Sequence, residues 1–248
     1  PDSYRLQELP ASTFTHLHQL SELGLDYDHL SNSLLCGLIH HGKTSLQTLI
    51  VHVHGIDPHH ETITNDTWQH LVAANPNLEV TLNLIHSLDG ANDMLAILKP
   101  AMPVAHLRQF FCEVISVAAI NYISLHMSAR LRSVVIVDGM EAGLPNVYAP
   151  DGDAEDPFVM LAWKAPNLRQ LTLIGYEVMQ EDLIAIARLR GRSLQQLDVP
   201  LCCLASVEGD QPHSSQLIYG QAEPAFCQEI SETVGWDWWP IADHDLHP

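Results

Sequence analysis

The residues best placed to do chemistry are the histidines of the stretch His52-Val53-His54-Gly55-Ile56-Asp57-Pro58-His59-His60. Alternate side chains of a strand share a face, so His52 and His54 would point the same way. Neutral imidazoles bind zinc at about 2 Å, and a site would need Asp57, His59 or His60 to fold back and complete it. The chain holds 16 histidines, among them His40, His41, His244 and His247. With histidine this common, a polar strand exit accounts for the cluster, and no metal site is expected. The carboxylates Asp151, Asp153, Glu155 and Asp156 invite a calcium reading, which requires Gly at loop position six and Glu at twelve. Counted from Asp151, those places hold Asp156 and Ala162, and the match fails. No phosphate-cradling glycine loop, G-x-S-x-G elbow or H-E-x-x-H pair occurs. Cys202 and Cys203 sit among apolar residues with nothing nearby to lower a thiol pKa, which favours packing over nucleophilic attack. The residues therefore point to a non-catalytic protein that needs no cofactor.

Charge narrows the partners. Eleven Lys and Arg against 30 Asp and Glu give a formal net charge of −19 over 248 residues. Such a chain repels nucleic acid and anionic membrane, and suits a basic protein partner or a well-solvated surface. No run reaches the roughly 18 apolar residues of a membrane span. The nearest, Val114 to Met127, is interrupted by Ser116, Asn121, Ser124 and His126, and reads as a buried helix. The five cysteines form no secreted disulfide pattern, so reduced thiols in the cytoplasm or nucleus are expected. Beginning at Pro1, and without a basic, apolar leader, the sequence reads as a fragment or a processed product.

What must position any binding residues is a repeated unit. Ala165 to Val199 reads strand, turn, helix, turn, strand, with Leu168, Leu171 and Leu173 at L-x-x-L-x-L spacing and Gly191 as a helix stop. The same spacing returns with first residues at Leu20, Leu46, Leu107, Leu131 and Leu194, and with one residue of slip at Leu78. Intervals of 24 to 37 residues fit leucine-rich repeats of roughly 20–29 residues with two insertions. Helices are expected from Ser31 to Lys43, from Thr64 to Pro76, over Asp93–Leu98, Val117–Met127 and Pro157–Lys164, and from Met179. The predicted fold is α/β: a leucine-rich-repeat solenoid, a curved horseshoe with parallel strands concave and helices convex. An irregular array of about seven units would occupy residues 1–205. A polar connection over 206–224 and a cap helix with a Trp-rich tail over 225–248 would follow. The acidic segment Asp138–Asp156 reads as a solvated loop or an electrostatic lure for a basic partner.

If the leucines of each strand point inward, the alternate residues form an open face. That register predicts Glu22, Gly24 and Asp26; Thr48, Ile50 and His52; Gln109, Phe111 and Glu113; Ser133, Val135 and Val137; Gln170, Thr172 and Ile174; and Gln196 and Asp198. Apolar side chains on an open face mark protein interfaces, so Ile50, Phe111, Val135, Val137 and Ile174 become candidates beside His52 and Thr172. Tryptophan anchors interfaces and also seals solenoid ends. Trp236 is assigned to the cap, leaving Trp238 or Trp239 for a partner.

Leu194-Gln-Gln-Leu197-Asp-Val199-Pro-Leu-Cys202 resembles the cysteine-containing leucine-rich repeats of F-box substrate receptors. Val178 to Ala187 and Leu30 to Leu38 look like that family's turn and helix. The N-terminal THLHQLSELGLDYDHLS and the later EISETVGWDWWP extend the resemblance over nearly the whole chain. Most of the repeats lack the motif cysteine, and no F-box is visible in these residues. The resemblance implies a substrate-recognition subunit of a cullin-RING ubiquitin ligase that meets SKP1 and cullin through an F-box upstream of Pro1. A leucine-rich-repeat scaffold or inhibitor without a ubiquitin role is the alternative.

Overall fold

The computed structural model describes residues 9–14, 17, 19–40, 46–148, 155–208 and 216–246. The chain forms two compact units, residues 1–112 and 113–248.

In the first unit, strands alternate with helices in the order β1 (Glu22–Asp26), α1 (Asn32–His40), β2 (Thr48–Val53), α2 (Asn65–Ala74), β3 (Glu79–Ile85), α3 (Leu88–Asn92), α4 (Met94–Ile97) and β4 (Val104–Phe110). The four strands pair in parallel in sequence order. Parallel pairing requires a crossover between neighbours, and short helices supply it. Leu49, Val51 and Val53 of β2 and Val80, Leu82 and Leu84 of β3 are fully buried, while Thr48, Ile50 and His52 are only partly covered. Local chemistry sets the element ends. Thr64 accepts from Thr67 N as the α2 N-cap, and Asn32 Oδ1 receives both Thr64 N and Thr67 Oγ1. At the other end of α2, Asn75 donates to Leu71 O and accepts from Leu46 N, fastening the helix end to the approach of β2. Pro76 follows and cannot continue the helix.

One register expectation fails in this unit. β4 does not begin its repeat at Leu107. Leu107 pairs with Leu82, which pairs with Val51, so it fills the third leucine place of the motif. The repeat reads Met102-x-x-Ala105-x-Leu107, with all three residues buried. A bulge between Val80 and Thr81 absorbs the extra residue, since Val80 faces Val104 but Thr81 faces His106. His106, Arg108 and Phe110 therefore take the open face, and Gln109 is buried at 1% exposure.

The second unit contains α5 (Val117–His126), β5 (Ser133–Val137), α6 (Pro157–Lys164), β6 (Gln170–Ile174), β7 (Val178–Met179), α7 (Gln180–Arg190), β8 (Gln196–Asp198), β9 (Leu204–Glu208), β10 (Gln216–Tyr219) and α8 (Pro224–Val234). β5, β6 and β8 pair in parallel in that order. The register carries Leu171 onto Val134 and Leu197, an interior row of the kind the leucine spacing predicts. A second, three-stranded sheet joins β7 in parallel to β9, which forms a hairpin with β10 within the segment read as polar. α7 begins with Glu181 and Asp182 and ends with Arg188 and Arg190, matching the helix dipole. No helix among the described residues is long and apolar enough to cross a membrane.

Candidate functional site

In each unit the strand side away from the leucines is covered less completely: Ile50, His52, Val135 and Val137 are part-covered, while Thr81, Asn83, Ser133 and Thr172 are buried. In the first unit the residues form rows across the strands. Gly24, Ile50, Thr81 and His106 make one row, and Asp26, His52, Asn83 and Arg108 make the next. Asn83 Nδ2 donates to His52 Nδ1 at 3.5 Å, and His54 Nε2 lies 3.9 Å from Asp26. Ile50 and His52 thus occupy the open face as their alternation predicts. Phe111 does not. It lies one residue past β4, 47% exposed, with φ of 55°. Its ring stacks on His86, which follows β3 with φ of 48°, at a centroid separation of 5.3 Å. Left-handed backbone costs a bulky residue roughly 1–2 kcal/mol, so both strand ends carry strain beside an exposed aromatic pair.

The histidine cluster does not converge. His52 and His54 share a face with ring centroids 6.4 Å apart. His60 turns away to contact Leu30 O at 2.7 Å and to pack on Tyr27, while Asp57 accepts from His59 N. Among the described residues no group of three His, Cys, Asp or Glu is arranged to hold a metal.

In the second unit Val135, Thr172 and Asp198 form one row, and Val137 and Ile174 the next. Thr172 is 5% exposed and donates from Oγ1 to Asp198 Oδ2 at 2.8 Å; Ser133 Oγ donates to Gln170 Oε1 at 3.0 Å. The face is partly covered apolar surface edged by this polar chain. Glu113 is not a face residue. It precedes α5 with φ of 67°, and its N–H donates to Asp138 Oδ2.

Trp238 departs from its expected exposure. The indole is 1% exposed, donates from Nε1 to Leu197 O at 2.8 Å and meets Phe226 edge-on. Trp236 donates to Leu194 O, and Trp239 is the exposed indole, at 61%. Trp238 joins the cap because its side chain reaches the carbonyls of β8 and the apolar side of α8.

The acidic segment also divides. Asp138 is buried and accepts from Gly139 N, Glu113 N and Tyr176 Oη. Asp156 caps α6, accepting from Phe158 N and Val159 N, and receives the Tyr148 hydroxyl at 2.9 Å. Burial raises its carboxyl pKa against those three hydrogen bonds, which lower it. Glu141 and Glu155 are exposed, while Asp151 and Asp153 lie outside the described residues. Two of the six carboxylates are thus structural pins, not a lure. Cys202 has its thiol pushed up to about 12, first by burial and then by the Asp243 carboxylate, so it stays protonated at neutral pH.

Sequence reading missed His86, Asn83, Arg108 and Phe110. The signal for the last two was present: Met and Ala stand at the leucine places of β4, a weaker match than Leu107 offers as a false start.

The site the structure offers is thus a set of part-covered strand residues, and the chain is similar to F-box proteins. The chain is 28% identical to human F-box only protein 33 over 93% of its own length and 41% of the relative's. The mouse protein of that name is 28% identical over 91% of this chain. F-box/LRR-repeat protein 21 of Ovis aries is 25% identical over 74% of this chain. The chain spans about two fifths of the length of these curated relatives. No family model matches it.

Proposed function

We propose that the chain is the substrate-recognition module of an SCF-type, cullin-RING E3 ubiquitin ligase. In this reading the two units belong to one irregular leucine-rich-repeat array, a horseshoe that holds a target protein against its strand faces. The observation that carries it is the fully buried leucine side of the parallel strands against part-covered Ile50, His52, Val135 and Val137 on the other side, in a chain similar to F-box proteins over nine tenths of its length. Ile50, His52, Val135, Val137, Thr172, Ile174 and Phe111 contribute the target contacts, and exposed Trp239 extends them. Trp238 acts by holding the tail. An F-box elsewhere in the whole protein engages the SKP1–cullin machinery, and the complex works in the cytoplasm or nucleus on a protein substrate.

The test is affinity capture from cells with the proteasome blocked, using the whole protein in which this chain occurs. Wild type is expected to recover the adaptor and a ubiquitinated target. Replacing Phe111, Val135 and Val137 with Ser is expected to lose the target and keep the adaptor. Undiminished target capture by a folded variant discards the strand-face mode. Recovery of targets without adaptor favours a scaffold or inhibitor outside the ubiquitin system.

A further inference from the structure

The row Asp26–His52–Asn83–Arg108 of the first unit has a polarity that the composition hides. It runs from a carboxylate on β1 to a guanidinium on β4 through the polar side chains of His52 and Asn83. Arg108 is exposed and makes no ion pair among the described residues. Asn83 is 8% exposed on the open face, and its Oδ1 has no hydrogen-bond partner among the described residues. That oxygen is buried as well as unpaired, so an outside donor meets it only when the amide turns toward the surface, and pairing it then returns stability. Adjacent strands lie about 4.8 Å apart, so three spacings from β1 to β4 give roughly 14 Å. An extended peptide rises about 3.4 Å per residue and shows alternate side chains to one face. Its residues i and i+4 are therefore about 14 Å apart, with residue i+2 above the centre of the row.

Resting on the receptor reading above, we propose that this face holds an extended segment of the target protein carrying a basic side chain, a neutral hydrogen-bond donor and an acidic side chain at i, i+2 and i+4. The cation pairs with Asp26, the donor meets Asn83 Oδ1 once that amide turns toward the segment, and the carboxylate pairs with Arg108. The match is one of charge order and spacing, so it selects among partners that net charge alone would attract equally.

The probe is the synthetic peptide Gly-Ser-Gly-Arg-Ala-Gln-Ala-Glu-Gly-Ser-Gly, titrated into the isotope-labelled chain and followed by amide and side-chain NMR shifts. Shifts are expected at Asp26, His52, Asn83 and Arg108. A peptide with Arg and Glu three residues apart is expected to bind at least fivefold more weakly. So is the original peptide to Asp26→Asn, which keeps the oxygen that accepts from Asp28 N, and to Arg108→Gln. Arg108→Glu is expected to reverse the preference, favouring the probe with Arg in place of Glu. Equal affinity for the two spacings, an unchanged preference in Arg108→Glu, or shifts confined to other surfaces overturns the proposal. Lost target capture in strand-face variants without peptide discrimination discards this charge register and leaves the receptor reading intact. Peptide discrimination with capture unchanged does the reverse.

Discussion

Gly175 follows β6 with φ of 86°, and a Cβ there would come 2.3 Å from the Asp138 carbonyl oxygen. Only glycine can hold that turn against the end of β5. Gly175→Ala is expected to destabilise the second unit by roughly 2–4 kcal/mol, combining left-handed strain with a backbone clash, read as a lower urea midpoint. The neighbouring indoles make a sharper contrast. Trp238→Ala removes a buried ring and its hydrogen bond to Leu197 O, a loss of about 3–5 kcal/mol. Trp239→Ala is expected to change stability by less than about 0.5 kcal/mol, and denaturation of both variants checks the pair. Three tryptophans within four residues announced a cap and an exposed ring, but not which was which. That choice depends on which indole N–H faces a carbonyl of β8, and distant residues set it.

Several helix ends and starts were legible because their causes are local, although the helix expected over Asp93–Leu98 is α4 (Met94–Ile97) and α3 (Leu88–Asn92) before it went unread. Thr64, Pro76, Pro157 and Gly191 stand where their chemistry requires, and α6 spans Pro157–Lys164 as its pattern predicted. The register of β4 was not, because a bulge that inserts Ala105 of β4 between the partners of Val80 and Thr81 moves the following side chains by one place. The hairpin β9–β10 was equally hidden, since a short edge hairpin with exposed Val207 and Leu217 lacks a two-sided apolar signal. Asp182 in the first turn of α7 offers a test at this scale. Its carboxyl pKa is pushed up to about 6, by burial first and then by Asp156, Glu181 and Glu155, from an ordinary 3.8. The folded state therefore holds that proton more tightly than the unfolded chain does. The stability it brings is present below about pH 4 and lost as pH rises through about 6. Asp182→Asn is expected to raise the thermal midpoint at pH 7.5, with the gain vanishing near pH 4, as calorimetry across that range would show.

For the molecule as a whole, a formal charge of −19 acts on encounter more than on fold. A basic target should associate roughly tenfold or more slowly when ionic strength rises from low to physiological, with a smaller change in dissociation. Stopped-flow mixing across a salt series measures this, and a salt-independent rate would rule out steering. The repeat spacing made the alternation of strands and helices readable, because a recurring leucine pattern has no other economical cause. It could not show where the array meets solvent. One such boundary is β8, an edge strand of its sheet.

Here the tail has a consequence beyond holding itself in place. Trp236 and Trp238 take the carbonyls of Leu194 and Leu197, Ile241 N takes that of Val199, and Leu201 N bonds Ile241 O. A parallel array has no intrinsic last member: any bare edge is a template for another copy of its own kind. By occupying those carbonyls the tail blocks a further strand from pairing along β8, a chain terminator at that edge.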